Sequence, residues 1–169
     1  MKLTDVLPIE KWVEIEKEIH EKSGLSASVF DINGMRITDY KKWVNELCPV
    51  IKATEKGQSY ICAVANQNLT VMAKNSQKPV VLECDAGLVK IVAPIFIGDE
   101  FVGSMGGCGL ILDDGETDSF LVNKTTGIDA ETVENLSQGI AVMTTEKAEA
   151  VAAFLENKTA EIAAGHQQK

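Results

Sequence analysis

Three apolar runs between residues 80 and 112 are separated by two short glycine-containing turns, at Ala86-Gly87 and Gly98-Asp99. Apolar runs of this length, divided by turn dipeptides, predict strands joined by tight turns. The stretch therefore predicts a three-stranded antiparallel meander, and the rest of the chain must pack around that sheet. The third run also contains the closely spaced glycines Gly103, Gly106, Gly107 and Gly109. They indicate the open wall of a cavity, β-bulges, or places where a helix packs closely against the backbone.

The register of this meander decides where Cys84 and Cys108 point, because neighbouring residues of a strand lie on opposite faces. If both turns contain two residues, Val89 pairs with Cys84 and with Cys108, so both sulfurs share one face. If residues 85–87 form a three-residue loop, Cys84 lies on the opposite face. Its companions there would be Leu88, Val92, Phe96 and Met105. Both registers fit the sequence.

The sequence of the N-terminal third of the chain predicts a helix followed by a β-hairpin. Apolar residues with helical spacing follow Pro8 and stop at Ser23-Gly24, which predicts an amphipathic helix. Asn33-Gly34 comes next, and this dipeptide tolerates the positive φ angles of a type I′ turn. We therefore expect two antiparallel strands, over residues 26–32 and 35–40.

Two cysteines fall in the predicted central helices. Pro49 suits a first helical position, which places Cys48 near the N-cap, where the helix dipole would lower the pKa of its thiol. A longer helix is predicted over residues 58–76. Cys62 should point inward in that helix, because it shares a face with Ala65, Leu69 and Met72.

The C-terminal part of the chain is predicted to be helical. Residues 120–124 and the segment that begins at Asp129 predict short packing helices. The last helix is predicted over residues 144–164. Its apolar residues have heptad-like spacing, so this helix could pair with a second copy of the chain in a homodimer. These residues are Ala148, Val151, Leu155 and Ile162.

Length and charge exclude several classes of function. A chain of 169 residues fits one domain, in which residues 1–112 form the sheet with its helices and residues 116–165 form the C-terminal helices. The net charge of −9 would repel a nucleic-acid backbone. No apolar run is long enough to span a membrane, and no apolar leader follows Met1, so we expect a cytoplasmic location.

The cysteines are the main candidates for chemistry. In a reducing compartment they are free core residues, metal ligands or redox sensors. Four thiols could bind Zn²⁺ or an iron–sulfur cluster, although their spacing lacks the close pairs that favour local chelation. An enzyme with Cys48 as nucleophile is a further alternative. His20 and His166 offer no partner base with plausible geometry, so we expect no catalytic activity. The candidate metal ligands are Cys48, Cys62, Cys84 and Cys108.

Several short motifs occur in an order that carries a family resemblance. They are Leu47-Cys48-Pro49-Val50-Ile51-Lys52, Gly57…Cys62, Glu83-Cys84-Asp85-Ala86-Gly87-Leu88, Ala93-Pro94-Ile95-Phe96-Ile97-Gly98 and Val102-Gly103. Thr126-Gly127-Ile128-Asp129 and the helix over residues 144–164 extend the match. Over nearly the whole chain, this order resembles the PocR sensory domain.

The resemblance implies an α+β fold of the PAS type, with a five-stranded antiparallel sheet, flanking helices and a C-terminal helical segment. It also implies a sensor that binds a small organic metabolite or cofactor between the sheet and the helices. Such a sensor would signal through a protein partner or an output module, and the chain would be either free-standing or part of a longer protein. The alternative function is a redox sensor that binds a metal or an iron–sulfur cluster through the four cysteines.

The expected ligand site combines residues of these motifs with two residues of the glycine-containing third run. It is drawn from Cys48, Cys62, Cys84, Asp85, Leu88, Phe96, Met105 and Cys108. Asp85 has a second interpretation, as a turn residue whose carboxylate binds its own backbone.

Overall fold

The structure, a computed structural model, describes residues 1–168 of the 169-residue chain. The helices that precede the meander are α1 (Leu3–Val6), α2 (Ile9–Ser23), α3 (Leu47–Ala53), α4 (Glu55–Gly57) and α5 (Ala63–Ser76), with a π-helical turn (Gln58–Cys62) between the last two. The later helices are α6 (Ser119–Thr126), α7 (Ala130–Ser137) and α8 (Thr145–Gln167). The strands are β1 (Ser26–Asp31), β2 (Val80–Glu83), β3 (Val89–Ile97), β4 (Glu100–Leu112) and β5 (Val142–Met143).

The α+β fold class with a five-stranded sheet is confirmed. Four antiparallel strands lie in the order β1-β4-β3-β2, and β3 is fully paired with the long strand β4. The short strand β5 is parallel to the end of β4. Within residues 1–168, no helix is both long enough and apolar enough to cross a membrane.

Helix α2 has the limits that its sequence predicts. Pro8 precedes the first turn in an extended conformation, and Gly24 ends the helix with a φ of 73°. Trp12 is fully buried, and its indole N–H donates hydrogen bonds to the carbonyl oxygens of Leu3 (3.0 Å) and Leu7 (3.1 Å). These bonds hold α1 against the first turn of α2.

The predicted strand over residues 35–40 is wrong, because only an isolated bridge between Phe30 and Arg36 forms there. The reason is Glu16, a fully buried residue of α2. Its carboxylate accepts the backbone N–H of Val29 (3.0 Å) and the hydroxyl of Thr38 (2.6 Å). Glu16 thereby takes the Val29 N–H that a ladder would use, so the pairing with β1 stops after two backbone bonds, from Asp31 N–H to the carbonyl oxygen of Met35 and from Ile37 N–H to that of Val29. The fifth strand is therefore β5, which the sequence did not predict.

The first turn of the meander is the three-residue loop. The backbone N–H of Cys84 donates to the carbonyl oxygen of Leu88 (2.9 Å), and Gly87 closes the loop with a φ of 83°. A side chain at Gly87 would also be 2.3 Å from the carbonyl oxygen of Glu116, so this position requires glycine for two reasons. Cys84 therefore pairs with Leu88 rather than with Val89.

The second turn is the predicted two-residue turn, but a bulge follows it. Ile97 pairs with Glu100, and the register then shifts by one residue next to Ile95. As a result Cys108 pairs with Lys90 instead of Val89. The three-residue loop and the bulge each shift the register by one residue, and the two shifts cancel. Cys84 and Cys108 thus share one face of the sheet, although neither predicted register was fully correct.

The two faces of the sheet pack against different helices. On one face, which we name the core face, Val29, Ile91 and Met105 pack against α2 and α8. On the other face, which we name the cavity face, Val92 packs against Leu69 and Ala73 of α5. The apolar stripe of α8 that suggested pairing with a second copy is buried in the core of its own chain.

The glycines of β4 allow close approach of neighbouring backbone and side chains. A Cβ atom at Gly106 would be 1.8 Å from the carbonyl oxygen of Ile91, and one at Gly103 would be 2.4 Å from that of Phe30. Of the four closely spaced glycines, Gly109 is the one that lines the cavity described below. The close-approach interpretation therefore applies to all four, since a Cβ atom at Gly109 would also be 2.8 Å from the side chain of Val44, and Gly109 is in addition part of the cavity wall.

Candidate ligand-binding cavity

A cavity of about 600 Å³ lies between the cavity face of the sheet and the helices that run from α3 to α5. All four cysteines line it, and we name it the cysteine cavity. The sheet contributes Ser26, Ser28, Phe30, Leu88, Lys90, Cys108 and Gly109 to its wall. The helical side contributes Cys48, Ile51, Lys52, Gln58, Ile61, Cys62, Ala65, Asn66 and Thr70.

Cys48 reaches the cavity from the first turn of α3. The side-chain oxygen of Asn45 accepts the backbone N–H of Cys48 (2.7 Å), and the Asn45 amide donates to the carbonyl oxygen of Gly109 (2.7 Å). The same amide nitrogen lies 3.2 Å from the Cys48 sulfur. Asn45 therefore ties the start of α3 to strand β4 and fixes the position of this thiol.

Cys62 ends the π-helical turn that connects α4 to α5. A π turn contains an extra residue compared with an α turn, and such turns often occur at functional sites. Gln58, Ile61 and Cys62 of this turn all line the cavity. The inward face continues along α5 through Ala65, Asn66 and Thr70. Met72 is 46% exposed, so the prediction that it shares the inward face is wrong.

The thiols of Cys48, Cys62 and Cys84 are poorly ionised, because these partly buried groups are largely desolvated. Burial raises the pKa of Cys48 to about 12 and that of Cys62 to about 11, and neighbouring thiols add to the increase. Burial also raises the pKa of Cys84. The prediction of a lowered Cys48 pKa is therefore wrong, because desolvation outweighs the hydrogen bond from Asn45. Neutral thiols are weak nucleophiles, which gives no support to a nucleophilic role for Cys48.

The four sulfurs face the cavity from separate elements. Cys48 comes from α3, Cys62 from the π turn, Cys84 from the end of β2 and Cys108 from β4. Within residues 1–168, no three His, Cys, Asp or Glu side chains are grouped closely enough to hold a metal ion. The sequence placed these cysteines around a common space, but the structure gives them no geometry for zinc or an iron–sulfur cluster.

Three of the expected ligand residues lie outside the cavity wall. Asp85 is exposed in the three-residue loop. Phe96 packs against Phe101 at the far end of the hairpin, with ring centroids 5.5 Å apart. Met105 is fully buried on the core face, because the bulge places it opposite Ala93 and away from the cavity. The expected residues that do line the cavity are Cys48, Cys62, Cys84, Leu88 and Cys108.

Sequence reasoning missed the two lysines of the cavity wall. Lys52 follows Cys48 by four residues, so both lie on one face of α3. Lys90 is the single charged residue of β3 and is only 8% exposed. A lone lysine inside an apolar strand was the signal that could have identified it. Each ammonium group lies over an aromatic ring, Lys52 over Trp43 (5.7 Å) and Lys90 over Phe30 (5.6 Å).

An amide in the cavity wall lacks a hydrogen-bond partner. Asn66 is 5% exposed, and its side-chain oxygen accepts no hydrogen bond from any residue that the structure describes. A buried polar atom of this kind normally has a partner, since leaving it without one costs about 1 to 3 kcal/mol. Asn66 therefore offers a hydrogen-bonding group to a molecule in the cavity.

One of three comparisons with known proteins identifies a family for this chain. A family model described as a sensory domain found in PocR matches residues 5–166. No curated protein and no solved structure matches the chain. The family match includes all the helices and strands that build the cysteine cavity.

Proposed function

The chain belongs to the PocR family of sensory domains, and we propose that it senses a small organic molecule bound in the cysteine cavity. The observation that carries this proposal is a cavity of about 600 Å³ with both apolar and polar walls. Small-molecule sites in proteins have volumes of roughly 300 to 1,000 Å³ and combine apolar surface with a few polar groups. Ile51, Ile61 and Leu88 supply apolar surface here, and Asn66 supplies an unpaired polar group.

Signalling in this proposal is a population shift. A ligand that binds one arrangement of the helices more tightly increases the population of that arrangement. Strands β3 and β4 connect the two sides of the molecule, since Lys90 faces the cavity and its neighbour Ile91 packs toward α2 and α8. We propose that α2 and α8 pass the change to a protein partner or to an output module. The cytoplasmic location, the homodimer and the absence of catalysis stay predictions.

The test is a thermal-shift screen of the full chain with short alcohols, organic acids and methylated metabolites. A compound that binds only the native state raises the melting temperature by mass action. Ser28→Trp, which places a large ring in the cavity, should abolish the increase. Thr132→Trp, on an exposed position of α7, is the matched control and should preserve it. If no compound raises the melting temperature, or if Ser28→Trp responds like the original chain, the proposal fails.

A further inference from the structure

We infer that the ligand of the cysteine cavity is a small organic anion, whose charged group binds the ammonium groups of Lys52 and Lys90. This inference rests on the proposed function and adds the chemical class of the ligand. The chain as a whole has a net charge of −9, so a positively charged cavity is a local exception. The positive charge of the cavity therefore does not reflect the composition of the chain and comes from Lys52 and Lys90 alone among the residues described in its wall.

Lys90 is a buried cation without a counter-ion. Its neighbours Val89 and Ile91 are fully buried, and the side chain lies on the cavity face beside Phe30. Within residues 1–168, it forms no ion pair with a carboxylate. The Phe30 ring provides a partial electrostatic partner through a cation–π contact, but it does not neutralise the charge. A buried charge normally has a partner of opposite sign, so this one is available to a ligand.

Lys52 brings a second positive charge to the same space. Burial lowers the pKa of Lys52, and the positive charges of Arg36 and Lys90 lower it further, whereas Cys62 and Cys108 would raise it only once they ionise. The two ammonium groups therefore repel each other across the cavity. An anion between them would replace this repulsion with attraction on both sides.

No group in the described part of the cavity wall balances these charges. None of the described residues that line the cavity is Asp or Glu. The thiols of Cys48 and Cys62 are protonated at neutral pH, since their pKa values are raised to about 12 and about 11. Arg36 already contacts the carboxylate of Glu16 (3.5 Å) outside the cavity wall. A ligand with a negative group and an apolar body would match both the lysines and the apolar wall.

The experiment measures dissociation constants of the full chain for matched pairs of anionic and neutral probes. The carboxylate arm compares benzoate with benzamide, the phosphate arm compares phenyl phosphate with phenol, and inorganic phosphate tests the charge without an organic body. Parallel pairs with aliphatic bodies of several lengths extend each arm. We expect at least one organic anion to bind more tightly than its neutral partner and more tightly than inorganic phosphate.

Variants then assign the binding to the two lysines. Lys52→Met and Lys90→Met keep the unbranched shape and most of the length of the side chain and remove its charge, and each should weaken the binding of the anion about ten- to hundredfold. Lys56→Met is the matched control, because it changes the net charge equally at an exposed position outside the cavity wall. It should leave the affinity within about twofold, given the screening of exposed charges by salt.

The possible results separate the inference from the proposed function. If neutral probes bind in a way that Ser28→Trp abolishes and anions bind no better, the inference fails and the proposed function stands. If Lys56→Met weakens anion binding as much as Lys52→Met and Lys90→Met do, the inference also fails. If inorganic phosphate binds as tightly as every organic anion, the organic part of the inference is wrong. If no probe of either kind binds, both the inference and the proposed function fail.

Discussion

At the scale of single residues, the cavity is governed by the cost of burying charge. The thiols of Cys48 and Cys62 stay neutral because burial disfavours their anions, and Lys52 is harder to protonate for the same reason. Both effects arise from one desolvated space between the sheet and the helices. Cys48 and Cys62 therefore form a polarisable, neutral part of the cavity wall, and Lys52 and Lys90 carry the charge that the proposed ligand would contact.

The raised thiol pKa values predict how stability depends on pH. An unfolded Cys48 loses its proton near pH 9, whereas the folded thiol keeps it up to about pH 12. The unfolded state therefore binds fewer protons in this window, and the free energy of unfolding falls as the pH rises through it. The slope approaches about 1.4 kcal/mol per pH unit for each such thiol. Urea unfolding at a series of alkaline pH values measures this slope of the free energy of unfolding against pH.

The control for this prediction is Cys48→Ser, whose hydroxyl does not titrate in the same window. Its free energy of unfolding should fall less steeply than that of the original chain above about pH 9. Equal slopes for the two chains would show that Cys48 ionises equally easily in the folded and unfolded states.

At the scale of helices and strands, the sequence predicted elements whose signals are local. Helix α2 lies where its apolar spacing, Pro8 and Gly24 placed it. The turn at Gly98-Asp99 was also correct, because its residues suit a tight hairpin. The bulge next to Ile95 depends on how β3 and β4 pack together, and Gly103, which pairs with Ile95 there, marked it only ambiguously, since a strand glycine also fits a close approach of the backbone.

The errors came from contacts between distant parts of the chain. Glu16 limits the pairing of residues 35–40 with β1 by accepting the Val29 N–H and the Thr38 hydroxyl, and such contacts over more than ten residues leave no local pattern. The thiol pKa of Cys48 was misjudged because its position in a helix is local information, whereas its burial is not. Lys90 was missed although its single charge within an apolar strand was visible in the sequence, because its burial on the cavity face depends on the tertiary packing.

Strand β4 offers a direct test of the close packing in the sheet. Gly106→Ala would place a Cβ atom 1.8 Å from the carbonyl oxygen of Ile91, so one of the two strands must move. We expect the free energy of unfolding to fall by about 3 kcal/mol or more, the upper range for overpacking. Urea unfolding at neutral pH measures the change.

The matched control is Gly165→Ala near the end of α8, where a Cβ atom would meet nothing within 4 Å. This change should raise stability by less than about 1 kcal/mol, because alanine favours the helix. If the two substitutions had similar effects, β4 would not be packed against β3 as closely as the structure has it.

At the scale of the whole molecule, the sheet separates two environments. The core face is filled by α2 and α8, with the side chains of Val29, Ile91 and Met105 fully buried between them. The cavity face is only partly filled by α5, and the remaining space is the cysteine cavity. This division explains how one strand can contribute both to a ligand site and to the core that holds the terminal helices.

The most direct test of binding in the cysteine cavity is an amide chemical-shift map of the ¹⁵N-labelled full chain, titrated with the compound that raises its melting temperature most. We expect the largest shifts at residues of the cavity wall, with Cys62, Lys90 and Cys108 among them, and smaller shifts along α8 from the population change. Large shifts confined to exposed surfaces away from the cavity, or no shifts for any compound, would contradict the central claim that this cavity is the sensory site.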